Sequence, residues 1–438
     1  MNTNTFPSFR LPLLLILLWS ATADAQRVMN LSECVDYAMA NNPELKVAEL
    51  QITDAEWQIK ENTAFGMPQL TGNLGYQYWL KVPALPASAL GFGQSDERIA
   101  FQLKNNISGD VNVSQLLFSK DYLLALRAAK AYRELTEEQL ATDKRRVRNQ
   151  VIDAYLPTLI IEESVNILDK NIANLRTILR ETEASQSAGF SEQLDVDRLR
   201  LSISTLNSQR SNLLRQQEIV LNVLKFAMGY PVNESLQVAD NVDRLLEQYG
   251  VADTTLTLNL NNRPEYRQIL KARELQTLEI ERYERPWMPV VSGFVNATGS
   301  YQGNSDLFWV PSSLAGVSAN VNIWDGGITK ARRERARVGL AEVEQQQVQL
   351  VNALNLEVEN ARKAYINALE DVGNRREDLR LSERIYETTQ TKYKAGVGSS
   401  FELTTTEQQL FEAQRNLLNA QYQLLSAWTD FKQALAAE

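Results

Sequence analysis

The chain of 438 residues contains no histidine. That excludes every histidine general base, the Ser-His-Asp and Cys-His arrangements, and the commonest zinc and copper ligand sets. Cys34 is the only cysteine and cannot form an intrachain disulfide. It is expected to pack as a small apolar residue at the start of a helix. A glycine-rich phosphate loop is also missing, so no catalytic site, cofactor or metal is expected. Positive charge is in deficit: 45 Lys and Arg stand against 54 Asp and Glu, a net −9. With no basic excess to neutralise phosphates, nucleic acid is not an expected partner. Past residue 25, no apolar run reaches the ~18 residues of a transmembrane helix. Any part of this chain inside a bilayer must then be strands of a closed barrel.

Residues 1–25 read as an export signal. Arg10 supplies the charge, Leu11 to Trp19 the apolar core, and Ala23-Asp24-Ala25 a small-x-small cleavage site before Gln26. The apolar run is too short to span a membrane, and no cysteine follows the cleavage site to carry a lipid.

The rest is built twice from one pattern. Asn42-Pro43-Glu44 recurs as Arg263-Pro264-Glu265, 221 residues later, and Pro68 and Gly72 recur at the same offset as Pro289 and Gly293. Leu117-Phe118-Ser119 answers Ile323-Trp324-Asp325 at 206, and Ala188-Gly189 answers Ala395-Gly396 at 207. A period this long is a duplicated half rather than a small-unit solenoid. The expected division is 26–229, an inter-repeat segment 230–260, and 261–438.

Within each half the helical stretches are long. From Lys120 to Gln186 there is no glycine and one proline, Pro157, where a kink or a local loss of hydrogen bonding is expected. Ile161, Val165, Leu168, Ile172, Leu175 and Leu179 alternate spacings of four and three, a seam for left-handed helix packing. Val196, Leu199, Ile203, Leu206, Leu213, Val220 and Leu224 continue it, with Arg210 and Gln217 as interruptions. The second half offers Leu354, Val358, Ala361, Tyr365, Ala368 and Val372. Its partner seam is Leu403, Thr406, Leu410, Ala413, Leu417, Ala420, Leu424, Ala427 and Phe431. A helix of about 67 residues measures about 100 Å. Taken alone, these heptads also suit an ordinary elongated coiled coil.

Four segments have another character. Pro68–Trp79, Ile107–Phe118, Pro289–Tyr301 and Ser313–Trp324 alternate polar and apolar residues, with aromatic residues near their ends. A loop, Lys81 to Asp96, separates the first two. Each segment has about the length of a tilted membrane strand; two soluble hairpins are the other reading. Four membrane strands leave two open edges, and the smallest single-chain barrels use eight. One chain must therefore share a barrel with copies of itself, in a number the strands alone leave open.

The order of these elements resembles the TolC family of outer-membrane efflux ducts of Gram-negative bacteria. Its local marks are LSECVDYAMANNPEL at Leu31 to Leu45, NIWDGG at Asn322 to Gly327 and YKAGVGSSFEL at Tyr393 to Leu403. The resemblance implies a mainly α protein with a membrane β-barrel portion: a homotrimer whose twelve strands form one barrel in outer-membrane lipid. Its helices would continue as a hollow α-barrel through the periplasm, toward a periplasmic adaptor and an inner-membrane pump. The family's gate lies where the helix pairs turn, here at Gly189 and at Gly396 to Gly398. Glu402 matches a residue of the family's first acidic ring, Thr405 stands where a second acid is found, and Asp195 matches a carboxylate of the first turn. Gly398 takes the place of an arginine that helps tie such a gate shut. The rival reading is a periplasmic coiled-coil adaptor or tether with no pore, which would have no use for the alternating segments. A carboxylate hydrolase is disfavoured, because no acidic pair sits in a recognisable site.

Overall fold

The computed structural model describes residues 27–91, 98–100, 102–249 and 252–436. The expected signal at 1–25 lies outside the described residues. In chain order the first half contains β1 (Arg27–Met29), α1 (Leu31–Asn41), α2 (Pro43–Ala64), β2 (Gln69–Tyr78), β3 (Ala84–Pro86), β4 (Arg98–Ala100), β5 (Asn105–Phe118), α3 (Lys120–Ser187) and α4 (Gln193–Met228). The second contains β6 (Leu236–Val238), α5 (Val242–Tyr249), α6 (Pro264–Tyr283), β7 (Val290–Gly303), β8 (Phe308–Asn320), α7 (Ile328–Lys394) and α8 (Ser400–Leu435).

The recurring Pro-Glu motifs mark where helices abut end to end. Pro43 and Pro264 each open a helix, where a missing N–H costs nothing. The Asn42 amide oxygen caps α2 by accepting from the Glu44 N–H, while its nitrogen donates to the Ala227 carbonyl at the end of α4. Arg263 serves the equivalent joint differently. Its guanidinium donates to the Gln433 and Ala434 carbonyls at the end of α8 and pairs with Glu357 at 3.0 Å. Each joint thus satisfies carbonyls that a helix C-terminus leaves without intrahelical partners. The result is four long columns: α4 with α2, α3, α8 with α6, and α7. They pack side by side in that order.

The strands follow the same order. β2, β5, β7 and β8 form one antiparallel sheet, each strand continuous in sequence with its own column. One face carries Leu70, Leu74, Tyr76, Val111, Val113, Val295 and Val317, and the opposite face Asn73, Asp110, Asn112, Asn296 and Thr298. Asn73 donates to the Asp110 carboxylate at 3.0 Å across the polar face. Near the sheet's upper end Tyr76, Ile107, Tyr301 and Trp309 form one cross-strand row, with the last two rings 4.9 Å apart. Among the described residues nothing covers the apolar face; Leu74 is 93% exposed. Such a face is stable in lipid.

Several expectations shift. The strand expected at Ser313–Trp324 runs Phe308–Asn320, so the sheet releases the chain before Trp324. There Asp325 accepts from the Gly327 and Thr329 N–H groups, and Gly326 and Gly327 adopt φ of +67° and +91°. The two glycines of NIWDGG are needed for that turn. The expected loop at Lys81–Asp96 carries β3, which pairs with β4, and a 3-10 turn at Ala87–Leu90; residues 92–97 lie outside the described residues.

Helix α3 runs unbroken through Pro157. Proline removes the bond to the Asp153 carbonyl, the expected local loss, and α1, α4 and α5 pack around Tyr155, Leu156 and Leu159 at that point. In the seams, Leu179, Thr406 and Leu417 are only partly buried, while their neighbours Ile178, Glu407 and Leu418 are buried. A helix flanked on two sides buries more than one heptad position.

At mid-length, β1 pairs in parallel with β6, and α1 and α5 pack outside α3. Cys34 is fully buried there, and burial, with Glu33 and Asp240 nearby, pushes its thiol up to about 12. The Tyr155 hydroxyl donates to Asp240 at 2.8 Å. No helix among the described residues is long and apolar enough to cross a membrane.

Candidate functional site at the helix-pair tips

The two tip turns are built alike. At the first, the Gly189 N–H bonds the Gln186 carbonyl and the Phe190 N–H bonds Ser185; at the second, Gly396 bonds Tyr393 and Val397 bonds Lys392. Both are Schellman closures, with the glycine at φ +82° and +77°. The second turn adds a bond from the Gly398 N–H to the Lys392 carbonyl. A Cβ at Gly398 would stand 2.9 Å from the Tyr393 backbone nitrogen. An arginine cannot occupy this position without reshaping the turn. These turns lie at the far end of α3 and α7, about 100 Å from the sheet.

Asp195 and Glu402 occupy matching places, each in the first turn of the helix after its turn. Their surroundings differ. Asp195 accepts from the Glu192 N–H at 3.3 Å and from the Ser400 hydroxyl of the other helix pair. Arg198 also reaches Ser400, at 3.3 Å, with its guanidinium 5.6 Å from the Phe401 ring centre. Asp195 therefore joins the two tips within one chain. Glu402 is exposed; its N–H is capped by Ser399, and its carboxylate has no partner among the described residues. Thr405, three residues on, is half-buried.

Further ties cross between the helix pairs. Tyr393 and Thr182 hydroxyls lie 2.9 Å apart, Asn174 donates to the Tyr386 hydroxyl at 2.7 Å, and Lys394 pairs with Glu181 at 3.2 Å. Glu407 is buried among Leu403, Leu410 and Tyr386 without a partner for Oε1, and burial pushes its carboxyl up to about 7. Sequence reasoning missed Ser400, Arg198 and Glu407. The Ser399-x-x-Glu402 spacing does mark a helix start, but no local pattern reveals contacts between helices about 200 residues apart. Among the described residues no group of acids and cysteine is placed to hold a metal ion.

Long columns, a strand sheet with one lipid-type face, and paired tips at the far end match a known architecture. The outer membrane efflux protein family matches residues 34–230 and 255–437. The chain belongs to this family. It is similar to the toxin and drug export protein A of Aggregatibacter actinomycetemcomitans, 21% identical over 93% of this chain and 86% of that protein. It is likewise similar to the pyoverdine export outer membrane protein OpmQ of Pseudomonas putida, 24% identical over 81% of this chain and 78% of that one. Its fold resembles that of CusC, a transmembrane channel protein, with a TM-score of 0.73, 17% identity and 98% of both chains covered. This member is an outer-membrane export duct that extends into the periplasm, and its family is one of channels rather than enzymes. The poreless tether is set aside.

Proposed function

We propose that three copies of the chain close into one duct, a twelve-stranded barrel above a hollow helical tube. The observation that carries this reading is that the sheet and the columns end at the same two edges. β2 and the α4–α2 column form one edge, and β8 and α7 the other. Both helical edges expose apolar side chains: Leu50, Trp57, Leu201 and Ile219 on the first, Val338, Val348 and Leu356 on the second. Strand edges left open in lipid cost several kcal/mol per unpaired group. The edges are complementary in type, one offering β2 and the other β8, so copies add head to tail until the ring closes.

At the tip, Glu402 from each copy points its free carboxylate toward the pore axis, with Thr405 just above. Three carboxylates converging on an axis attract cations. Residues 1–25 direct export and are removed; 26–229 and 261–438 are the two repeats, and 230–260 girdles the tube. A periplasmic adaptor meets the tip turns at Gly189, Gly396 and Gly398, and an inner-membrane pump supplies the driving force. The named relatives export a toxin, drugs and a pyoverdine, so what they share is the passage rather than the cargo. The test is conductance in planar bilayers. Glu402→Ala should lose most of the cation preference, since Thr405 supplies no second ring. Parental selectivity in that variant would place the constriction elsewhere.

A further inference from the structure

A cavity of about 940 Å³ lies beside the α8–α6 joint, walled by α3, α5, α6 and α8. Among the described residues four cations line it, Arg145, Arg148, Arg267 and Lys432, and no acidic side chain does. Two of the four are engaged from outside the cavity: Arg145 by Glu265 at 3.4 Å and Arg267 by Glu138 at 2.8 Å. Arg148 and Lys432 have no hydrogen-bond or ion-pair partner among the described residues. Trp428 and Tyr249 stand on the same wall. The Trp428 ring packs against Tyr249, 4.9 Å between centres, giving the site an aromatic wall.

We propose that this cavity binds a multiply anionic ligand on a sugar scaffold. Two cations without partners call for closely spaced carboxylate or phosphate oxygens, and the aromatic wall suits the flat face of a sugar ring. The cavity sits between inner columns, away from the edges that another copy would cover. Its segment of α3, Arg145 to Ile152, lies about 40–50 Å along the helix from the sheet. The stem-peptide carboxylates of a cell-wall muropeptide and the phosphates of a sugar bisphosphate share the required chemistry. The inference does not depend on conduction, so its failure leaves the duct reading intact.

The test is calorimetric titration of the full-length protein in mild detergent with a disaccharide-tripeptide muropeptide and, separately, with fructose 1,6-bisphosphate. At least one probe should bind saturably, once per chain, and which one does so identifies the source. The double variant Arg148→Gln/Lys432→Gln should weaken binding about tenfold, as expected for two partly exposed charge pairs. The variant should melt like the parent. Absence of saturable binding by either probe, or unchanged binding in the double variant, overturns the proposal. Binding that appears only after removal of Ala437 and Glu438 also overturns it, because the chain's own carboxylates would then be the occupant.

Discussion

The two end-to-end joints solve one problem with different chemistry. In the first repeat, α4 ends at Gly229 with φ +70°, and a Cβ there would come within 2.8 Å of Pro43. The joint is small, neutral and tight, held by the Asn42 amide. In the second, the equivalent residue 207 positions on is Ala436, in the same left-handed region at φ +49°. Here Arg263, 3% exposed, fills the joint with charge, and the basic cavity opens beside it. The two joints share the left-handed backbone position and differ in the side chains that close them. The first joint is therefore purely structural, while the second has room for a ligand.

The sharpest way to break this comparison is to empty each joint. Arg263→Met should cost about 3 kcal/mol, because the buried Ala434 carbonyl loses its donor and half-exposed Glu357 its partner, while Arg145 still donates to the Gln433 carbonyl. Asn42→Ala should cost only about 1–2 kcal/mol, the range for a lost cap and one hydrogen bond. Equal shifts in denaturant midpoint would mean the joints are energetically alike.

The repeats also differ near the tips. Arg200 lies exposed on α4 and pairs with Glu183 at 2.7 Å; 207 positions on, Glu407 is buried. Its carboxyl is raised from the ordinary 4.5 to about 7 by burial, so between those values the folded chain holds a proton that the unfolded chain releases. Stability from this group is fully present below about 4.5, declines as pH rises, and is lost above about 7. Glu407→Gln should remove that decline and stabilise the protein at pH 8 by about 3 kcal/mol, with little effect at pH 4. Melting curves of parent and variant at both pH values check it.

The smallest effects come from exchanging the left-handed residues. Gly229→Ala should destabilise by about 2 kcal/mol through both its φ and its contact with Pro43. Ala436→Gly should stabilise by roughly 0.5–1 kcal/mol by relieving the Cβ. Opposite signs in a chemical melt are the expected result, and like signs would dissolve the parallel between the two helix ends.

The sequence revealed the pieces better than the joints between them. Alternation marked all four long strands, because a one-residue slip would turn every apolar side chain over. The six residues Leu354 to Val372 named for the α7 seam are all buried, since a strict heptad repeat survives without knowledge of the partner. The Pro-Glu motifs were visible as repeats, but their purpose was not. That the Asn42 amide reaches Ala227, and Arg263 the Gln433 and Ala434 carbonyls, depends on helices 170 or more residues away. Pro157 left a kink and a lost hydrogen bond as alternatives for the same reason: surrounding elements decide whether a helix yields to a proline. At the tip, Asp195 and Glu402 looked like a pair by position, and only their neighbours separate a carboxylate that ties two helix pairs from one left free.

Counting the copies tests the central claim that one chain is a third of a duct, with sheet and columns open at the same two edges. Native mass measurement in mild detergent should give three chains per particle. A stable monomer in buffer without detergent would contradict it.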